Sequence, residues 1–230
     1  MLLKLGRIPE SVCDTVVSDV LSLSKYWVED RKGFWPRNVL FSLGTPLYQT
    51  DVADLKKSKH GLPREEMEEK FGHIFLGVAD LVSGHLNKRA ACAKDLPLPG
   101  FHIARAPRGG RVCGPLHFDL QFQKLMLLFG RQLPSLGSVT LFLDASDQHN
   151  GIEMFDFHFS EIDRQVDKSD WNTIRKRPSK TISYEKGGVY WQSGLLAHRI
   201  VASNLSGLET PRLTLQGHLV ELDEEVALYW

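Results

Sequence analysis

Residues 180–198 read KTISYEKGGVYWQSGLLAH. Two short β-forming runs, 180–184 and 188–193, are separated by a Gly187-Gly188 turn, and a third run begins at Ala197. The same texture continues outward in both directions. Upstream lie 101–105 (FHIAR), 115–122 (PLHFDLQF), 138–145 (SVTLFLDA) and 152–160 (IEMFDFHFS); downstream lie the rest of 197–202 and 212–221 (RLTLQGHLVE). Gly109-Gly110 and Asn150-Gly151 punctuate the runs as turn signals. Short strands at this spacing predict a double-sheet jelly roll or a barrel.

Before residue 96 the texture is helical. Val12, Val16, Val20 and Leu23 recur at helical spacing within 9–24. Segment 63–88 is the strongest helix. Pro63 suits a first helical position, acidic residues follow it, and Met67, Phe71, Ile74, Phe75, Val78, Leu81 and Val82 form one apolar stripe. Between the two helices lies an aromatic, irregular stretch with Trp27, Phe34, Trp35 and Phe41, then a polar break over 54–63. The expectation is a mainly β chain with N-terminal helices, in one domain over residues 1–230. Residues 1–95 form a helical layer and 96–222 the jelly-roll core.

Composition excludes several classes. The chain has 230 residues, too few for a second full domain. Lys plus Arg balances Asp plus Glu at 28 each, so no general field draws nucleic acid or an anionic membrane. Cys13, Cys92 and Cys113 are odd in number and widely spaced, unlike a disulfide framework or a zinc ribbon. A reducing cytoplasm is the simpler reading. The opening MLLKLGRIPESV has too short an apolar run for a signal peptide, and no stretch approaches a membrane span.

His117-Phe118-Asp119 sits within an expected strand. Residues two apart on a strand face the same way, so His117 and Asp119 share a side and Phe118 takes the other. His198 follows on another expected strand. Two histidines and one carboxylate form the facial triad of non-haem iron(II) oxygenases, which leaves three metal positions open. A lone His-x-Asp is a weak signal, but Arg212-Leu213-Thr214 beyond His198 strengthens it. Arg212 and Thr214 share a strand face, and a guanidinium with a hydroxyl can grip a carboxylate.

In this order, His-x-Asp, a later His and a following Arg-x-Thr resemble the iron(II)/2-oxoglutarate-dependent oxygenases of the double-stranded β-helix fold. The resemblance covers roughly residues 100–220. Stretches 41–48 (FSLGTPLY), 98–103 (LPGFHI) and 117–122 (HFDLQF) are similar to small bacterial members acting on free amino acids, nucleotides or other small molecules. The resemblance implies a jelly-roll core flanked by helices, with Fe(II) held by His117, Asp119 and His198. It implies that 2-oxoglutarate and O2 are converted to succinate and CO2, with the distal carboxylate of 2-oxoglutarate on Arg212 and Thr214. Halogenases of this group carry Gly or Ala in place of the carboxylate ligand. Asp119 therefore points to hydroxylation of an unactivated C–H bond, as in a biosynthetic hydroxylase.

Further residues are placed by position alone. Gln121, two beyond Asp119, is a candidate partner of the cosubstrate, and Arg105 a candidate for its other carboxylate. Trp191, Trp27 and Tyr48 are pocket or core aromatics, with core favoured. His149 and Glu153 flank what reads as an Asn150-Gly151 hairpin turn rather than a ligand pair. His102, His158 and His218 read as satisfied strand histidines, and His73 and His85 as structural or exposed. Asp144, Glu153 and Asp156 are candidate contacts for a substrate amine. Arg175-Lys176-Arg177 is a candidate basic lid, with a solvated loop favoured. The expected partner is a small molecule, with neither nucleic acid nor membrane, and the chain a monomer or homodimer. Desaturation, cyclisation or epimerisation, a macromolecular substrate, and a non-catalytic cupin-like module are the competing readings.

Overall fold

The computed structural model describes residues 1–30, 39–47, 61–105, 112–144, 150–162, 168–202 and 211–230. Thirteen strands among them build two sheets. In chain order they are β1 (Leu2–Arg7), β2 (Val28–Glu29), β3 (Leu40–Leu43), β4 (Ala90–Cys92), β5 (Gly100–Ala104), β6 (Val112–Cys113) and β7 (Ser135–Asp144). Then come β8 (Asn150–His158), β9 (Ser179–Ser183), β10 (Gly188–Gln192), β11 (Leu196–Ala202), β12 (Arg212–Leu222) and β13 (Glu225–Tyr229). The major sheet runs β1-β10-β7-β12-β5-β3-β2, with β13 beside β12 and β4 parallel to β13. The minor sheet runs β6-β11-β8-β9. Gln192 of β10 reaches His198 of β11, so the two sheets meet face to face around these residues.

The strand period of two gives the major sheet two unlike faces. Val139, Leu141, Leu143, Val189, Leu213, Leu215, Phe101 and Ile103 share one apolar core with the helices. Alternate residues turn inward: Ser138 and Thr140 on β7, Gln192 on β10, His102 on β5, and Arg212, Thr214 and His218 on β12, all buried. Polar groups therefore line the inside of the jelly roll, where a ligand can use them.

Helix α1 (Glu10–Ser22) buries Cys13, Val16, Val17 and Val20. Helix α2 (Arg64–Leu86) buries Met67, Phe71, Ile74, Phe75, Val78, Ala79 and Val82. Both apolar stripes follow helical spacing and cover the outer face of the sheet. Pro63 is the N-cap of α2 rather than its first residue, and Asn87 ends it in the left-handed conformation, φ 49°. The Arg64 side chain donates to Leu96 O and Ala93 O at 2.7 and 3.1 Å, fastening α2 to the chain entering β5. Among the described residues no helix is long and apolar enough to cross a membrane.

The structure corrects three expectations. Residues 115–122 are not a strand: His117 makes one isolated bridge, and helix α3 (Gln121–Phe129) begins four residues later. Phe122, Leu125, Met126 and Phe129 recur at helical spacing there, and this outweighs the upstream alternation. The segment before residue 96 is not purely helical, since β1, β3 and β4 join the major sheet, as does β13 beyond residue 222. Asn150-Gly151 is no hairpin turn, because it starts β8 in the minor sheet while β7 lies in the major one. As favoured from the sequence, Arg175-Lys176-Arg177 is an exposed loop; it follows a further helix, α4 (Lys168–Ile174), and Arg177 pairs with Glu161 at 3.0 Å. Phe34, Trp35, Tyr48, Gly109-Gly110, His149 and most of 54–63 lie outside the described residues.

Candidate metal centre

His117 and His198 are joined through their backbones. Each N–H donates to the other's carbonyl, at 2.9 and 3.0 Å. Directly paired antiparallel residues point their side chains to the same face, and the ring centroids stand 4.4 Å apart. Asp119 N–H donates to Gly194 O at 2.9 Å, which brings the carboxylate beside both rings. Asp119 Oδ1 lies 3.7 Å from His117 Nε2, and Oδ2 lies 3.5 Å from His198 Nε2. One ligand atom from each of the three residues fits within a mutual 4.8 Å.

The tautomers suit metal binding. His117 Nδ1 is 2.8 Å from Pro115 O, and His198 Nδ1 is 2.8 Å from Leu196 O. A carbonyl can only accept, so each Nδ1 carries the proton and each Nε2 lone pair faces the centre. Burial and the neighbouring His198 lower His117 to about 4, so its Nε2 stays unprotonated at neutral pH. Burial alone would raise the Asp119 carboxyl, but His198, His218 and His117 together hold it well below the usual carboxylate range. Burial lowers His198 and Asp119 raises it; Asp119 prevails. The result is an ionised carboxylate against two imidazoles, a charge arrangement suited to a divalent cation. The His117 side chain is 40% exposed, those of Asp119 and His198 9% and 3%.

Further along the inner face, Arg212 is 1% exposed and Thr214 fully buried. Among the described residues, Nε and Nη1 of Arg212 and Oγ1 of Thr214 have no hydrogen-bond partner. Burial lowers Arg212 to about 10, so the guanidinium remains charged at neutral pH. Its carbon lies 5.8 Å from the centre of the Phe142 ring. A buried cation with unmet donors is costly, and an anion is the group that would satisfy it. The Tyr184 phenol lies close enough to Arg212 for each to shift the other, and it hydrogen-bonds the Thr140 side chain.

Two residues singled out from position fare differently. Gln121 is the first residue of α3, not a strand neighbour of Asp119, and its Oε1 is buried without a partner. Arg105 does not reach the centre. It follows Phe101 and Ile103 on the outer face, is exposed, and stacks over Trp27 at 4.9 Å and Phe41 at 5.6 Å. Trp191 also belongs to the outer core, donating to Leu136 O and packing against His85. Glu153 pairs with Arg199 at 2.6 Å, Asp144 lies 3.7 Å from Lys186, and Asp156 is exposed. His158 caps the turn after β8.

His102 and His218 turn inward to the site instead of being incidental strand residues. His102 feels Arg212, His218, His117 and Asp119; burial first, then Arg212, lowers it to about 3, against an opposing pull from Asp119. Ser138, Gln192 and Tyr184 are further members that no motif in the sequence marks. Ser138 Oγ donates to Asp119 Oδ2 at 2.6 Å, and Gln192 Nε2 donates to the same oxygen at 3.1 Å. For Ser138 and Gln192 the sequence signal is parity: each alternates with residues of the outer apolar core.

Two inward-facing sheets, a metal-ligand cluster between them and an outer helical layer give the architecture. The chain has the double-stranded β-helix fold. No protein-family model matches it, and no curated protein does. Among solved structures this double-stranded β-helix is similar to AviO1 from Streptomyces viridochromogenes Tue57, with 10% identity, 97% of this chain and 90% of that one covered, and a TM-score of 0.54. It is also similar to SnoN, a non-heme α-ketoglutarate-dependent epimerase from nogalamycin biosynthesis, with 11% identity, 100% and 80% covered, and a TM-score of 0.55. At such identities the likeness is one of fold.

Proposed function

We propose that the chain is an iron(II)- and 2-oxoglutarate-dependent oxygenase that hydroxylates an unactivated C–H bond of a small molecule. One observation carries the reading: three metal-ligand side chains converge within 4.8 Å in a fold that also buries Arg212 with two unpartnered nitrogens. The donor set fits the ion. Two neutral imidazoles and a carboxylate on one side of a site are the ligands of a non-haem iron(II) centre. When bound, iron(II) with 2-oxoglutarate and O2 supplies the oxidising power, and 2-oxoglutarate leaves as succinate and CO2.

The residues divide the remaining work. His117 Nε2, His198 Nε2 and Asp119 hold the metal. Arg212 and Thr214 receive the distal carboxylate, with the Tyr184 hydroxyl at their side. The neighbouring walls of both sheets exclude water, which protects a reactive site from unproductive turnover. The burial of Asp119 and His198 beneath a partly exposed His117 favours a small molecule over a macromolecular surface.

Epimerisation is the second reading, because SnoN shares this fold and performs it. Both outcomes start with hydrogen abstraction. The deciding assay incubates the chain with Fe(II), 2-oxoglutarate and O2 against amino acids, nucleotides and natural-product intermediates, scoring succinate by mass spectrometry. A substrate gain of one oxygen marks hydroxylation, and an unchanged mass with altered chirality marks epimerisation. A chain that binds neither Fe(II) nor 2-oxoglutarate would be a cupin-like module instead.

A further inference from the structure

The hydrogen bonds on Asp119 are one-sided. Oδ2 accepts from Ser138 Oγ at 2.6 Å and from Gln192 Nε2 at 3.1 Å. No described residue makes a hydrogen bond to Oδ1. Behind Ser138 stands His218, with Nδ1 2.9 Å from the same hydroxyl. These partners are a row across three neighbouring strands: Gln192 on β10 pairs with Ser138 on β7, which pairs with His218 on β12. All three are at most 6% exposed.

The direction of each hydrogen bond follows from proton count. A hydroxyl has one proton, and an ionised carboxylate has none to give. The Ser138 proton therefore goes to Asp119 Oδ2. His218 must then donate its Nδ1–H to the Ser138 oxygen. The order runs His218 to Ser138 to Asp119, opposite to the arrangement that activates a nucleophilic serine, so Ser138 is no nucleophile. Charge-assisted bonds of this kind are short and strong, and two on one oxygen fix the carboxylate plane.

We propose that Ser138 and Gln192, with His218 orienting Ser138, are positioning residues that hold Oδ2 off the metal, so that Asp119 coordinates through Oδ1 alone. The inference rests on the metal reading above and sharpens it. A carboxylate binding through both oxygens would occupy a fourth metal position. Only two would remain, too few for a chelating 2-oxo acid and O2 together. The row thus sets how many positions stay open.

Co(II) titration of the full chain tests this, with visible absorption reporting coordination and calorimetry measuring 2-oxoglutarate binding to the Co(II)-loaded protein. Wild type should bind one Co(II). Ser138→Ala and Gln192→Leu should each weaken Co(II) by about 10- to 100-fold, the usual range for partners behind a metal ligand. Each should also change the Co(II) d–d bands but retain 2-oxoglutarate binding, since two positions remain for the chelate, while Ser138→Thr, which keeps the hydroxyl, stays near wild type. Thermal melts accompany each variant, and Gln192→Leu on its separate strand carries the test if Ser138→Ala does not fold. Wild-type Co(II) affinities and spectra in both Ser138→Ala and Gln192→Leu would overturn the positioning role and leave the metal reading intact. A wild type that binds no Co(II) would overturn both.

Discussion

Arg212 and Thr214 stand two residues apart on the inner face of β12, and Nε and Nη1 of the one and Oγ1 of the other reach no hydrogen-bond partner among the described residues. Such groups destabilise a chain that has nothing to offer them. Replacing Arg212 by Met fills a similar volume without a charge. The expectation is a ligand-free chain that melts higher, since an unsatisfied buried polar group costs about 1–3 kcal/mol and each kcal/mol is worth about 2–4 °C at this size. The same change should raise the KM for 2-oxoglutarate by about 100-fold, from losing roughly 3 kcal/mol of charge-assisted hydrogen bonding. An Arg212→Met chain with unaltered KM would remove Arg212 from the cosubstrate site.

The three ligand residues should act as one unit. Saturating Fe(II), Mn(II) or Co(II) should raise the melting temperature of the wild type, since a ligand at 100 times its Kd stabilises by about 2.7 kcal/mol. His117→Ala, Asp119→Ala and His198→Ala should each abolish the rise. Differential scanning fluorimetry with and without metal is the measurement, and a variant that kept the full shift would not be a ligand.

His102 makes the metal-free chain sensitive to acid. The unfolded chain binds a proton there near pH 6.5, while burial and the Arg212 guanidinium lower the folded value to about 3. Between these values the unfolded state holds more protons, so stability falls as pH drops below 6.5 and the penalty levels off near 3. At pH 4.5 the loss from this group is about 2–3 kcal/mol at 1.36 kcal/mol per unit. Urea midpoints between pH 7.5 and 4.5 should show it, and His102→Gln should flatten that slope; equal slopes in the two proteins would assign the acid sensitivity elsewhere.

Gly194 is a hinge point for the carboxylate. Its φ is +73°, and an added Cβ would lie 3.1 Å from Asp119 Cβ and 3.4 Å from Ser138 Oγ. Gly194→Ala should cost about 1–2 kcal/mol from the left-handed backbone alone. It should also displace Asp119, whose N–H rests on the Gly194 carbonyl. Paired urea and Co(II) titrations should therefore show both stability and metal affinity reduced; loss of stability with undiminished affinity would separate Gly194 from the centre.

Arg105→Ala, by contrast, should leave the KM for 2-oxoglutarate unchanged, because its guanidinium lies over Trp27 and Phe41 on the outer face. A raised KM would mean that Arg105 reaches the cosubstrate after all.

The convergence of His117, Asp119 and His198 and the inward placement of Arg212 were legible because residue type, order and strand parity point the same way. His117 and Asp119 do share a face, and Phe118 does turn aside, into a cluster with Phe157, Phe159 and Trp171. What the sequence left hidden depends on register. Ser138, Gln192 and His218 form a row only because three strands far apart in the chain align at those residues, and no local pattern records that alignment. Arg105 failed for a related reason. Its neighbours Phe101 and Ile103 already marked the apolar parity, and a charge after them follows the same face. The short strands β1, β3 and β4 escaped notice because partner strands, rather than local alternation, hold them in the sheet.

The mutual backbone bridge between His117 and His198 also bears on how the chain folds. A local helix or hairpin can form early, but this bridge joins segments from opposite ends of the jelly-roll sequence and must await loop closure. A molecule with a finished major sheet and an unclosed minor one would hold its ligand side chains too far apart to share an ion. Metal uptake during refolding should therefore report the last stage of sheet closure, and a chelator would act on a chain that has already completed its topology.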